Sequence, residues 1–194
     1  MNVSVILFDD FETLDVFGPV EVIGRLEDYF RIEFYSEKGG IIRSSQNVRV
    51  ETLPLTDIKE AGVILIPGGM GTRSEVHNEE LIRNLKELFI KAQFVLTVCT
   101  GSALLARTGL LKNLEATSNK MAFDWVAEQD QEVKWIRKAR WVKNGKYYTS
   151  SGVSAGIDMA MGFISDVIGL EAAQTIARGV EYIWNSDKDN DPFC

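Results

Sequence analysis

An α/β fold built around a mainly parallel sheet is the architecture this sequence predicts. Short apolar runs rich in β-branched residues alternate with stretches of helical periodicity, and most segments between them are short. The chemistry-bearing residues obey the same logic. Asp15, the glycines at 68, 69 and 71, and Cys99 each follow an apolar run, and ligands of parallel sheets bind beyond the carboxyl ends of the strands.

Val3 to Phe8 is a compact apolar strand closed by Asp9-Asp10. Leu14 to Leu26 carries apolar residues at Leu14, Val16, Phe17, Val20, Val22, Ile23 and Leu26, close to one helical face. Pro19 suits a first helical turn, so the helix is expected to start near Gly18, with Asp15 just before it. Arg31 to Ser36 reads as a second strand, Gly39-Gly40 as a turn, and Ile41 to Thr52 as a short β excursion. Gly62 to Ile66 is a strand running into Pro67-Gly68-Gly69-Met70-Gly71. Asn78 to Ala92 places Leu81, Ile82, Leu85, Leu88 and Phe89 on one side of a helix. Phe94 to Val98 is a buried strand that meets Cys99, and a helical pattern closed by Gly109 follows.

Leu110 to Thr117 reads as a connector and Met121 to Glu128 as a helix. Val133 to Trp135, Arg140 to Val142 and Tyr147 to Thr149 read as short strands, with a turn at Asn144-Gly145. Two last helices are expected over Ala155 to Ile168 and Glu171 to Trp184, then a polar, mobile tail, SDKDNDPFC.

With 194 residues and no internal repeat or linker, residues 1–194 form one domain. A net charge of -7 argues against nucleic acid or an anionic membrane as the partner. Two cysteines, Cys99 and Cys194, are too few for a disulfide framework and stand in no metal-binding spacing. No cofactor or metal is expected. The start, MNVSVILFDDFETLD, lacks the features of a signal peptide and no run approaches a membrane span, so a cytoplasmic protein is expected.

A thiol where a strand meets a helix sits beside the positive end of the helix dipole, a placement that favours thiolate. Cys99 is thus a candidate nucleophile at a cysteine version of the nucleophile elbow. Asp15 is a candidate proton carrier if it is desolvated and protonated. The backbone N–H groups of Gly69, Met70 and Thr100 are candidate donors to charge developing on a substrate. Simpler readings compete: Cys99 as a small buried hydrophobe, Asp15 as a helix cap, and residues 67–71 as an ordinary turn. The glycines match no dinucleotide or phosphate-loop pattern. His77 lies in a charged helix start and reads as solvated, and Asp158 reads as a helix cap.

Five stretches in order, FDDFETLDVFGPVEV, ILIPGGMG, VCTGSALLARTGLL, EATSNKMAFDWV and TSSGVSAGIDMA, resemble the ThiJ/PfpI superfamily, related in fold to class I glutamine amidotransferases. The resemblance implies a flavodoxin-like three-layer sandwich and a homodimer. LDVFGP, Cys99-Thr100-Gly101-Ser102 and Ser154-Ala155-Gly156-Ile157-Asp158 look most like the isocyanide hydratase branch and the sensor domains of AraC-type regulators. By position, Cys99 matches the family nucleophile, Asp15 the acid beside it, Gly69 the glycine whose N–H faces the site, and Thr100 the residue after the cysteine. The protease branch has histidine at that last position, so a Cys-His protease is not expected. Asn119 holds a position where related chains often carry histidine, so a histidine-assisted step lacks its histidine here. The chain ends soon after the last helix, leaving no room for a regulator's DNA-binding module.

The resemblance implies a cysteine-dependent enzyme acting on a small molecule, most like isocyanide hydratase, which forms an N-formamide through a thioimidate. Two alternatives accompany it: glyoxalase- or deglycase-like action on reactive carbonyls, and a non-catalytic ligand or redox sensor whose cysteine oxidises.

Overall fold

The structure is a computed structural model that describes all 194 residues. Its centre is an eight-stranded sheet in the order β3-β4-β2-β1-β5-β6-β10-β9. These strands are β1 (Asn2–Ile6), β2 (Arg31–Ser36), β3 (Gly40–Arg43), β4 (Arg49–Pro54), β5 (Val63–Ile66), β6 (Phe94–Thr97), β9 (Trp141–Asn144) and β10 (Tyr147–Ser150). Every internal pairing from β4 to β10 is parallel. The two edges are antiparallel hairpins, β3-β4 and β10-β9. A separate parallel pair joins β7 (Glu115–Ala116) to β8 (Lys134–Trp135).

Two groups of helices flank the sheet. In one, α1 (Thr13–Gly24), α6 (Ala155–Val167) and α7 (Leu170–Gly179) pack together. In the other, α4 (Gly101–Arg107) contacts α2 (Thr72–Glu75), α3 (Glu79–Lys91) and α5 (Phe123–Ala127). The flavodoxin-like three-layer sandwich is thus present. The central strands β1, β5 and β6 are apolar almost throughout and nearly fully buried, as strands covered on both faces must be. No helix is long and apolar enough to cross a membrane.

The third helix follows its sequence pattern closely. Asn78 is its N-cap, accepting the Leu81 N–H at 3.1 Å, and Leu81, Leu85 and Phe89 are buried. The first helix does not. It starts at Thr13, so Asp15 lies inside its first turn and Pro19 within its body. Gly18 and Pro19 are buried, and a Cβ on Gly18 would come within 2.7 Å of Ile157 Cγ1. The Gly18-Pro19 step is therefore used within the chain, to let α1 approach α6.

The tail, expected to be mobile, is anchored as far as Asp191, while Pro192 to Cys194 are exposed. Asp158 is no cap: it is fully buried, and its Oδ2 accepts from Arg140 Nε and Nη2 at 2.9 and 2.8 Å. Its Oδ1 accepts from Tyr182 and the Asn185 N–H. Arg140 Nη1 also reaches Asp191 Oδ1 at 3.5 Å, and the Arg140 N–H binds the Lys188 carbonyl. These contacts draw residues 185–191 onto the start of β9. Buried charges of this kind need partners, because a lone one would lose its hydration uncompensated. Asp158→Ala is expected to lower stability by roughly 3–5 kcal/mol. It should also free the tail, read by urea unfolding and by faster amide exchange at Asn185 and Asp191.

Candidate active site

The sheet brings four chain segments to one edge. Gly68 follows β5, Cys99 follows β6, Gly152 follows β10, and Asp15 enters from the segment after β1. At the centre, Cys99 has a φ of +56°, in the left-handed region. An L residue there costs about 1–2 kcal/mol, so the surrounding bonds must hold it. The Cys99 N–H donates to the Ser151 carbonyl at 3.1 Å. Its carbonyl accepts from Ser102 Oγ at 3.0 Å and Ser118 Oγ at 2.8 Å. One neighbour and two segments distant in sequence thereby fix one strained residue, which presents its side chain at the strand end. The nucleophile elbow expected from the sequence is present in form.

Asp15 has no exposed surface. Its Oδ2 accepts the Gly68 N–H at 2.8 Å, while Oδ1 is buried without a conventional partner. The carboxyl meets the Cys99 thiol. Gly68 makes this possible: a Cβ there would lie 2.6 Å from the Thr100 N and 2.9 Å from Asp15 Oδ2. Burial pushes the carboxyl up from 3.8 to about 7, against the Gly68 bond. Asp15 is thus a desolvated carboxyl with a raised affinity for a proton.

The thiol goes the other way from expectation. Burial first, and the Asp15 charge second, push Cys99 up to about 12. The Thr100 and Val153 N–H groups and the Thr100 hydroxyl oppose that shift without cancelling it. A short helix at the surface of a polar cleft would favour thiolate, but desolvation outweighs it here. Near neutral pH Asp15 therefore exchanges its proton while the Cys99 thiol keeps its own.

Gly69 also differs from its expected role. Its N–H donates to Thr100 Oγ1 at 3.1 Å, within a small network in which Thr72 Oγ1 also donates to Thr100 Oγ1 at 3.0 Å. Its φ of +122° and its contact with the 10–12 backbone demand glycine whatever the substrate. Met70 is exposed, and its N–H makes no bond within the chain. The residue that sequence reasoning missed is Val153, whose N–H faces the sulfur. Its φ of +29° is rare for a β-branched residue. The available signal was Ser150-Ser151-Gly152, a loop leaving a parallel strand at the same edge. Asn119 packs against Gly152, with its Oδ1 accepting the Ala122 N–H at 3.0 Å. His77 is exposed on the far side of α2, and Cys194 is exposed in the tail.

Residues 1–166 match the sequence model of the DJ-1/PfpI family. The chain belongs to the DJ-1/PfpI family. This DJ-1/PfpI protein is 26% identical over 185 residues to the isonitrile hydratase of Pseudomonas putida, covering 94% of this chain and 78% of that protein. It shares its fold with a ThiJ/PfpI family protein from Pseudomonas syringae, at TM-score 0.85 and 24% identity, covering 98% of this chain and 76% of the other. An AraC family transcriptional regulator from Pseudomonas putida has the same fold at TM-score 0.78 and 14% identity, with 92% of this chain and 98% of the other covered.

The raised carboxyl has a consequence for stability. An acid whose folded-state value lies above its unfolded one loses stability as pH climbs from 3.8 through about 7. At roughly 1.4 kcal/mol per pH unit, the penalty above that window is on the order of 4 kcal/mol. Asp15→Asn keeps an acceptor for Gly68 and removes the charge. It is expected to be the more stable protein at pH 8 and to lose that advantage below pH ~4, as urea unfolding across pH would read.

Proposed function

We propose that this DJ-1/PfpI chain is an enzyme that adds the Cys99 sulfur to a small electrophilic carbon, with isocyanides as substrates and N-formamides as products. The observation that carries this reading is the buried Asp15–Cys99 pair, an acid and a thiol placed together away from solvent. Likeness to an isonitrile hydratase over 94% of the chain supports the choice of substrate. An isocyanide carbon bears both a lone pair and electrophilic character, so it asks for a sulfur and a proton at the same atom. One acid beside one thiol supplies both, with no imidazole required.

In the singly protonated pair, Asp15 carboxylate takes the thiol proton as sulfur forms the C–S bond. Asp15 then returns that proton to the carbon lone pair, giving the thioimidate R–N=CH–S on Cys99. Water adds to the same carbon, and its departing proton passes through Asp15 to nitrogen. Collapse of the resulting R–NH–CH(OH)–S adduct breaks the C–S bond. The hydroxyl proton returns to the acid–thiol pair and R–NH–CHO leaves. The Thr100 and Val153 N–H groups stabilise negative charge on sulfur whenever the proton is on Asp15. Met70, with its unused N–H, is the backbone donor assigned to the substrate.

Since the base is Asp15 carboxylate, kcat/KM should rise with pH through about 7 and then level. Cys99→Ser should abolish turnover, and Asp15→Asn should lower it by roughly a hundredfold or more. The assay is formamide production by purified protein with reduced Cys99. Unchanged isocyanide in that sample would overturn the reading, and lactate formed from methylglyoxal would transfer it to reactive carbonyls.

A further inference from the structure

One cation stands beside this site without a counter-ion. Arg73 lies in α2, next to Thr72, whose hydroxyl donates to Thr100 Oγ1 at 3.0 Å. Its guanidinium carbon sits 3.4 Å from the centroid of the Trp125 ring. None of the nine ion pairs of the chain includes it. Its side chain makes no hydrogen bond to the rest of the protein either, so the fork of donors is uncommitted. Thr100 directly follows Cys99, so the Thr72–Thr100 contact sets the start of α2, and Arg73 with it, against the nucleophile; partial burial pulls Arg73 below its ordinary value and the charge on Cys99 acts against that. Stacking on an indole fixes the plane of a guanidinium and leaves its edge available.

We propose that Arg73, held on Trp125 beside the Cys99 thiol, is a specificity residue that selects small electrophiles carrying a carboxylate. The substrate class this deepens rests on the reaction proposed for Cys99. The charge inventory explains both the need for the cation and the choice of a monoanion. The acid–thiol pair carries one negative charge when reactive, and the whole chain carries -7, so an anionic substrate approaches against repulsion. One guanidinium offsets one charge. A carboxylate matches its fork in two parallel hydrogen bonds, whereas a phosphate dianion would leave a charge uncompensated next to the pair.

Two measurements test this, in a Cys194→Ser background so that only one thiol reacts. The first compares kcat/KM for 4-isocyanobenzoate and for phenyl isocyanide in the parent, Arg73→Gln, Arg73→Lys and Trp125→Leu proteins. The parent should prefer the carboxylate by roughly ten- to a hundredfold, the strength of a charged hydrogen-bond pair. Arg73→Gln should lose that preference, with a loss on the carboxylate substrate at least tenfold larger than any change on the neutral one, and Arg73→Lys and Trp125→Leu in between. The second compares alkylation of Cys99 by iodoacetate and by iodoacetamide, which needs a nucleophile but no turnover. The parent should favour iodoacetate more than Arg73→Gln does, and added salt should shrink that difference. If isocyanides are untouched but the alkylation ratio shifts as described, the substrate reading fails and the anion selectivity stands. An equal loss on both reagents, an unchanged ratio in Arg73→Gln, or a Cys99 inert to both would overturn the selectivity.

Discussion

The dehydration of Asp15 and Cys99 together is the constraint on which the site depends. Either group alone, buried beyond the strand ends, would be a small hydrophobe or a neutral acid with no chemistry to do. Together they form a couple in which burial makes the ionisation of each group costly and the charge on Asp15 raises that of the thiol further. Burial raises both values, which makes Asp15 a stronger base near neutral pH and keeps the thiol protonated until it reacts. A solvated pair would titrate separately and lose that coupling. The cost falls on folding, and the sheet around the pair has to meet it with well-packed β1, β5 and β6 strands.

Much of that arrangement follows from one backbone conformation. The left-handed turn at Cys99 swings the thiol out of the plane of β6 and toward Asp15. It is stable because Ser151, Ser118 and Ser102 each bind the backbone of that residue. Two of those serines come from segments after β10 and β7, so the late part of the chain completes a site whose acid lies near the start and whose nucleophile lies at the middle. Gly68 and Gly69 allow the β5 loop to close the remaining side, and the Thr100 hydroxyl gathers Gly69 and Thr72 around it. The donors to sulfur are then the Thr100 and Val153 amides, one on each side of the elbow.

What was legible in the sequence was the local part of this. Apolar runs ending at Asp15, Gly68 and Cys99 placed the three at one sheet edge because a parallel sheet aligns its carboxyl ends. The amphipathic run from Asn78 was legible because cap and apolar stripe agree. The misread features are those decided by distant partners. Pro19 looked like a helix start, but contact with α6 holds a helix that begins six residues earlier. Asp158 looked like a cap because its real partner, Arg140, belongs to another element. The direction of the thiol shift was invisible for the same reason: a dipole is local, whereas desolvation is contributed by every segment that covers the sulfur. Val153 and the engagement of Gly69 depend on loops meeting across the edge, which periodicity does not report.

The buried ions near the tail acquire a reason from this geometry. Arg140 binds Asp158 and Asp191 through its guanidinium, while its own carbonyl accepts the Ser151 N–H at 2.9 Å. The Ser151 carbonyl in turn holds the Cys99 N–H. The ion cluster is therefore two backbone bonds from the strained nucleophile, on the loop that also delivers the Val153 N–H. An apolar replacement of similar volume would cover the same surface at no desolvation cost, but it would not be directional. Arg140 fixes the height and rotation of the β9–β10 edge, and with it the distance between Ser151 and Cys99. Asn119 acts on the same loop from the other side, packed on Gly152 and tied to Ala122. Here an uncharged amide serves as a strut. The loop that donates to sulfur is thus held from both sides, by the Arg140 ion cluster and by the Asn119 amide.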